Sequence, residues 1–260
     1  MNEDIMFAHF IIIVSLFFFT IAVRGQIGTV AVDEWADVVD HTSFDSLWHV
    51  AVVRGKLLTT GWQSPAYVRY RASIAGARPS AFLPRARTAF WVNAYLACLL
   101  ETMHLRRGYR STVWDSLWDQ RDTFDVASRK LTLNDMMNEA ITISGTVGIV
   151  ACLPSGSSRG APLPSRAATA RTIHRLLRDQ LRRICRSERY LLYDPAGNVL
   201  QLSSFFHPLL EGISKEARSV PEWLLPYVTE GVAAQMALHA RTMSVVVQDV
   251  IETWRKARPP

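Results

Sequence analysis

Cysteine and lysine are both scarce in this chain. Its 260 residues hold three cysteines, Cys98, Cys152 and Cys185, too few and too scattered for a disulfide framework or a zinc cluster. Each lies in an apolar or helical context, where a cysteine behaves as a small buried hydrophobe. His174 and His207 have no carboxylate or cysteine at metal-ligand spacing, so neither a metal nor any other cofactor is expected. There is no internal repeat and no long low-complexity stretch, which excludes solenoids and repeat arrays. Only four lysines accompany 25 arginines, and no nucleic-acid motif goes with them, so nucleic acid is not an expected partner.

What remains is an ordinary core-forming composition with one unusual end. Hydrophobic residues make up 49% and charged residues 20%, enough to bury a sizeable core. The net charge of +6 fits an anionic membrane surface or an acidic protein partner. The run Met6 to Val23, MFAHFIIIVSLFFFTIAV, is broken only by His9, Ser15 and Thr20, a length between a signal-peptide core and a spanning helix. Val23 and Gly25 stand at the small-residue positions of a cleavage site before Gln26, whereas the leading MNED is acidic where a signal peptide carries positive charge. For a retained anchor, Arg24 after the run favours the domain on the cytoplasm-like side. Both outcomes stay open: a single N-terminal membrane anchor, or entry to the secretory pathway with cleavage after Gly25. The expected organisation is a hydrophobic segment over residues 1–25 and one α+β domain over residues 26–260, built on a central buried helix, short hairpins and peripheral helices.

Within that domain, DHTSFDSLWHVAVV opens a helix that Thr42 or Ser43 would cap, with Phe44, Leu47, Trp48 and Ala51 at helical spacing. A polar, arginine-bearing connection comes next. LPRARTAFWVNAYLACLLETMHL is then a long helix, apolar almost all round and therefore central. DTFDVASRKLTL and YLLYDPAGNVLQLS are expected as hairpins. NDMMNEAI is expected as a short helix capped by its asparagine, and TVGIVACL as a buried strand. Arg166 to Arg189 is expected as an amphipathic helix with Ala170, Ile173, Leu177, Leu181 and Ile184 on one stripe. The C-terminal part from Pro221 is expected to be mostly helical.

Four of these segments, in this order, carry a resemblance. DHTSFDSLW is similar to an Asp-His-Ser-x-Trp-Asp-x-Leu-Leu opening, and RTAFWVNAY to Ala-Phe-Trp-Ile-Asn-Ala-Tyr. RKLTLNDMMNEAI aligns with Leu-Ser-Leu-Asp-Asp-Ile-Glu-His-x-Ile, and LQLSSFF with Leu-Ser-x-Ile-Phe. Together they resemble the family catalogued as domain of unknown function 547, over Asp40 to Gly212. The resemblance implies a strand carrying a histidine, then a small-residue loop carrying a cysteine, a layout that would suit Cys-His nucleophilic chemistry. This chain departs from it where the chemistry would sit. Gly160 occupies the loop cysteine's position, Val147 the strand histidine's, Asn138 the helix histidine's and Met137 the preceding glutamate's.

The expectation is therefore a catalytically degenerate, membrane-associated binding or structural subunit. The alternative is a hydrolase or acyltransferase with a relocated nucleophile, Cys152 or a loop serine such as Ser157, assisted by His41. Each residue has a plainer role beside this one. Cys152 would be core, Ser155, Ser157 and Ser158 solvated loop, and Asp40 and His41 a cap and staple for the first helix. Asn93, costly in mid-helix unless bonded, would tie a loop to it. Arg171, Arg175, Arg178, Arg182 and Arg186 would be either solvated surface or an anion-binding interface, since arginine takes carboxylates and phosphates in bidentate fashion. The expected partners are proteins of a membrane-associated complex or anionic lipid headgroups.

Overall fold

A computed structural model describes residues 33–53, 56–57, 64–105, 122–155 and 160–248. The chain divides into two units, Met1–Glu34 and Trp35–Pro260. The hydrophobic run lies outside the described residues, and all the elements named below belong to the second unit.

That unit mixes helix with small sheets. In chain order it contains α1 (Thr42–Ala51), the two-residue strands β1 (Val52–Val53) and β2 (Lys56–Leu57), α2 (Pro65–Ala75) and α3 (Pro84–Leu105). The hairpin β3 (Phe124–Val126) and β4 (Arg129–Leu131) then leads to α4 (Leu133–Ser144). A 3-10 helix (Val147–Cys152), a long loop and α5 (Ile173–Cys185) come next. The last part holds β5 (Leu191–Asp194), β6 (Val199–Ser203), a second 3-10 helix (Ser204–Leu209), α6 (Leu210–Glu216), α7 (Val220–Leu224), α8 (Glu230–His239) and β7 (Ser244–Gln248). Strands β5 and β6 pair antiparallel, and β7 adds to β6 in parallel.

The organising element is α3. Pro84 sits at its start, where a proline costs no hydrogen bond. Every residue from Thr88 to Leu100 is buried, as the absence of a polar face predicts. Phe90, Trp91 and Tyr95 are all buried, each contributing about 2 kcal/mol or more by area removed from water. Around α3, a first core gathers Phe44 and Trp48 of α1, Tyr67, Tyr70 and Ile74 of α2, and Met136 of α4. A second core joins the three-stranded sheet to α5, α6 and α7 through Leu181, Leu200, Leu202, Phe206 and Trp223. Met137, Ile141 and Leu177 pack against both.

Six expectations need correction. TVGIVACL is a 3-10 helix, not a strand: Thr146 caps Gly148 N–H, and the Glu216 carboxylate, 69 residues away, takes the N–H of Val147. The connection after α1 contains α2, whose buried Tyr67, Tyr70 and Ile74 fall on one helical face within a polar stretch. The cap of α4 is Thr132, in a reciprocal box with Asp135, and not Asn134. Asp40 takes the Thr42 N–H at 2.8 Å, so neither Thr42 nor Ser43 caps α1. The arginine helix is shorter than Arg166–Arg189, and MSVVVQ near the C-terminal end is strand β7.

The β3–β4 turn is tight. Ala127 and Ser128 both adopt positive φ, 52° and 60°, as a two-residue hairpin requires. Their N–H groups donate to Ile74 and Ala75 carbonyls at 2.9 and 2.7 Å, which ends α2 and offsets the backbone strain.

Asn93 is fully buried in mid-α3, and its amide clasps the backbone of one residue of the long loop, Ala168. Nδ2 donates to Ala168 O at 2.7 Å and Oδ1 accepts from Ala168 N at 2.8 Å. Asn93→Ala strands both backbone groups in the core. Denaturant unfolding should show a loss of about 3 kcal/mol, with accelerated amide exchange at Ala168. A loss no larger than that of a surface substitution would show that the clasp is not needed.

Candidate functional site

The loop between the first 3-10 helix and α5 is held by side chains from every neighbouring element. Tyr95 OH donates to Pro154 O at 2.9 Å, Trp48 Nε1 to Pro164 O at 2.9 Å, and Tyr190 OH to Gly160 O at 2.9 Å. Gln180 Nε2 donates to Pro162 O at 2.7 Å and Arg183 to Leu163 O at 3.0 Å. Further along, Asp45 Oδ1 accepts from Ala167 N at 2.7 Å, and Asp37 Oδ1 from Ala170 N at 2.6 Å. A segment of small residues and prolines thus gets its shape from partners elsewhere in the chain.

The expected nucleophiles that lie among the described residues are buried. Cys152 is fully buried, and desolvation pushes its thiol up to about 12, away from the reactive thiolate. Gly160 stands at the position of the expected cysteine, and a Cβ there would lie 2.2 Å from Ser155 Oγ and 3.0 Å from Ser155 N, so Ser155 would have to give way to a side chain. Ser155 itself is buried. Ser157 and Ser158 lie outside the described residues.

The expected base faces Tyr70. His41 is buried at the start of α1, where its Nδ1 lies 2.9 Å from Tyr70 OH while Nε2 has no partner. No hydrogen bond links it to Cys152. Desolvation lowers its pKa to about 4, partly opposed by Asp40, so it is neutral at ordinary pH. Stacking of Tyr70 on Phe44, centroids 4.7 Å apart, completes a packed corner between α1 and α2. Asp40 is exposed, and its hydrogen bonds to Thr42 lower its pKa. Among the described residues no group of three or more histidine, cysteine, aspartate or glutamate side chains could hold a metal.

The arginines form the other candidate. Arg171 precedes α5, Arg175, Arg178 and Arg182 lie on it, and Arg186 is its C-cap. The Ile173 N–H already bonds Thr169 O at 2.9 Å, so the helical turn begins before the helix proper. At about 100° per residue, these five residues project within an arc of about 80°. The buried side chains Ile173, Leu176, Gln180, Leu181 and Ile184 occupy the opposite side. Arg175, Arg178 and Arg186 are exposed, and Arg182, half-buried, has a buried Nε without a hydrogen bond. None of these four, nor the interposed Asp179, makes an ion pair among the described residues.

At the head of this stripe stands Trp35, which no sequence signal singled out. The Arg85 and Arg171 guanidinium carbons lie 5.2 and 5.5 Å from its ring centroid. Gln180 was also missed, although its place in the apolar series marks it as inward-facing.

Two outcomes test these assignments. A thiol reagent near pH 8 should leave all three buried cysteines of the native protein unmodified, and Cys152→Ala should cost about 1 kcal/mol of stability; rapid, selective labelling of Cys152 would restore a nucleophile. His41, with its folded pKa lowered, contributes stability that is complete above the unfolded value of 6.5 and is lost as pH falls toward about 4. The loss over that window should approach about 3 kcal/mol and vanish in His41→Gln. Parallel stability curves for the two proteins would contradict the buried, neutral ring.

No family model, curated protein or solved structure matches the chain, so its functional reading rests on this geometry and on the four sequence segments.

Proposed function

We propose that this protein is a catalytically degenerate relative of the domain of unknown function 547 family and serves as a binding or structural subunit at a membrane. The observation that carries this reading is the contrast between its two candidate sites. Where the resemblance implies a nucleophile, the described residues hold a buried cysteine and a glycine packed against Ser155, and His41 is hydrogen-bonded to neither. The arginine stripe holds four cations that make no ion pair among the described residues, with a single carboxylate, Asp179, set between them.

An uncompensated stripe of this kind is costly unless something acidic meets it. Repulsion between arginines three and four apart costs a few tenths of a kcal/mol per pair. An acidic protein surface or anionic headgroups would reverse the sign of that interaction. The run Met6–Val23 would supply the tether: as a single N-terminal anchor it would hold the domain at a bilayer, raising its effective concentration there. Among the described residues no helix is long and apolar enough to cross a membrane, so the run is the segment assigned that role.

The test reverses Arg175, Arg178 and Arg186 to glutamate. All three side chains are exposed and none contributes to the core, while Arg171 is left in place because it stacks on Trp35. Each arginine near an anionic surface is worth about 1 kcal/mol, so association should weaken about a hundredfold or more. Circular dichroism should show an unchanged fold. High salt should release the wild-type domain from its acidic partner in the same way, because the interaction is screened within about 10 Å. A folded variant with unaltered partners and salt behaviour would reduce the stripe to solvated surface.

A further inference from the structure

We infer that the arginine stripe lies along the bilayer that the N-terminal run enters, and that the groups it binds are the phosphates of anionic lipid headgroups. This assignment rests on the proposed membrane role and deepens it by naming the ligand.

The chain enters the globular unit at the head of the stripe. Trp35 is bracketed by Arg85 and Arg171, and two residues later Asp37 Oδ1 accepts the Ala170 N–H at 2.6 Å. The first residues of the unit are therefore fastened there. Trp35 follows Val23, at the end of the apolar run, by twelve positions. A fully extended chain of that length spans about 40 Å at most. The stripe from Arg171 to Arg186 is itself about 22 Å long. If the run is in the bilayer, the head of the stripe stays within about 40 Å of the headgroups, near enough for the whole stripe to lie down on them.

Charge favours the same ligand. Arg24 is the positive flank of the run, and the acidic residues Glu3 and Asp4 lie before it. The side preferred by that positive charge is the cytoplasmic leaflet, where anionic lipids concentrate. A planar anionic surface suits a straight row of guanidinium groups confined to an arc of about 80°. Each fork can take a phosphate in bidentate fashion, and the pendant, unpaired side chains of Arg175, Arg178 and Arg186 are free to do so. An acidic protein would have to compete with a surface that the chain's own tether would present.

The buried native cysteines make the test practical, since an engineered thiol can be labelled alone. Asp179→Cys places a fluorophore beside the stripe and keeps every arginine. The full chain is reconstituted into vesicles of phosphatidylcholine, with or without one third phosphatidylserine, each carrying a quencher attached to a minor fraction of headgroups. The expected result is several-fold stronger quenching in the anionic vesicles, lost in high salt and lost when Arg175, Arg178 and Arg186 are also changed to glutamate. Equal quenching in both vesicle types, or a label remote from the headgroups while the chain resists carbonate extraction, overturns the headgroup assignment alone and leaves an acidic protein as the partner. A chain that carbonate strips from both vesicle types overturns the tether, and this inference falls with it.

Discussion

The rest of the structure depends on one buried side chain that donates to and accepts from the backbone of one residue. Asn93 sits in a helix otherwise apolar for more than three turns, and its two hydrogen bonds to Ala168 fasten a loop that has little reason of its own to be ordered. An asparagine there would be a liability without a partner, because desolvating an amide costs several kcal/mol. With both halves of the amide satisfied it fixes the distance and the register between α3 and the loop. The flanking bonds from Trp48, Tyr95, Asp37 and Asp45 repeat the device: each places one backbone group of the loop against a side chain from an element already positioned by the core.

Elements that carry their own pattern were legible in the sequence. The length and all-round apolarity of α3, the two hairpins and the amphipathic character of α5 follow from periodicity and turn residues. Asn93 announced its role by being polar where nothing else is. Elements decided by distant partners were not legible. Val147 to Cys152 is a short apolar run, which periodicity cannot assign between strand and helix. A carboxylate at Glu216 and a threonine cap decide for the 3-10 helix. Strand β7 comes after a helical segment and becomes strand because Val199–Ser203 offers it a parallel edge, to which the β-branched run Val245–Val247 is suited.

The candidate site divides in the same way. That the arginines form a run is plain from composition, but their confinement to one arc required the true bounds of α5. That a glycine, Gly160, stands where the resemblance implies a cysteine was visible in the sequence, and the close approach of Ser155 to it was not. Trp35 and Asp37, which tie the chain's entry to the stripe, stand in a short acidic segment with no helical or strand period. Their importance comes wholly from what they touch.

The clasped loop and the arginine stripe are parts of one arrangement. Ala167, Ala168 and Ala170 each give their N–H to a side chain from α1, α3 or the entry segment, and the Thr169 N–H goes to Thr172 Oγ1 at 3.0 Å. Four consecutive peptides are thus held immediately before α5 begins. Because a helix turns about 100° per residue, a slip of one residue here would rotate all five arginines by that angle. Some would be carried toward the core, and Ile173, Leu181 and Ile184 would be carried toward solvent. The burial of those apolar side chains opposes such a slip, and the four fastened amides deny it a starting point. The direction in which the arginines face is set, through Asn93, by the most deeply buried helix of the protein.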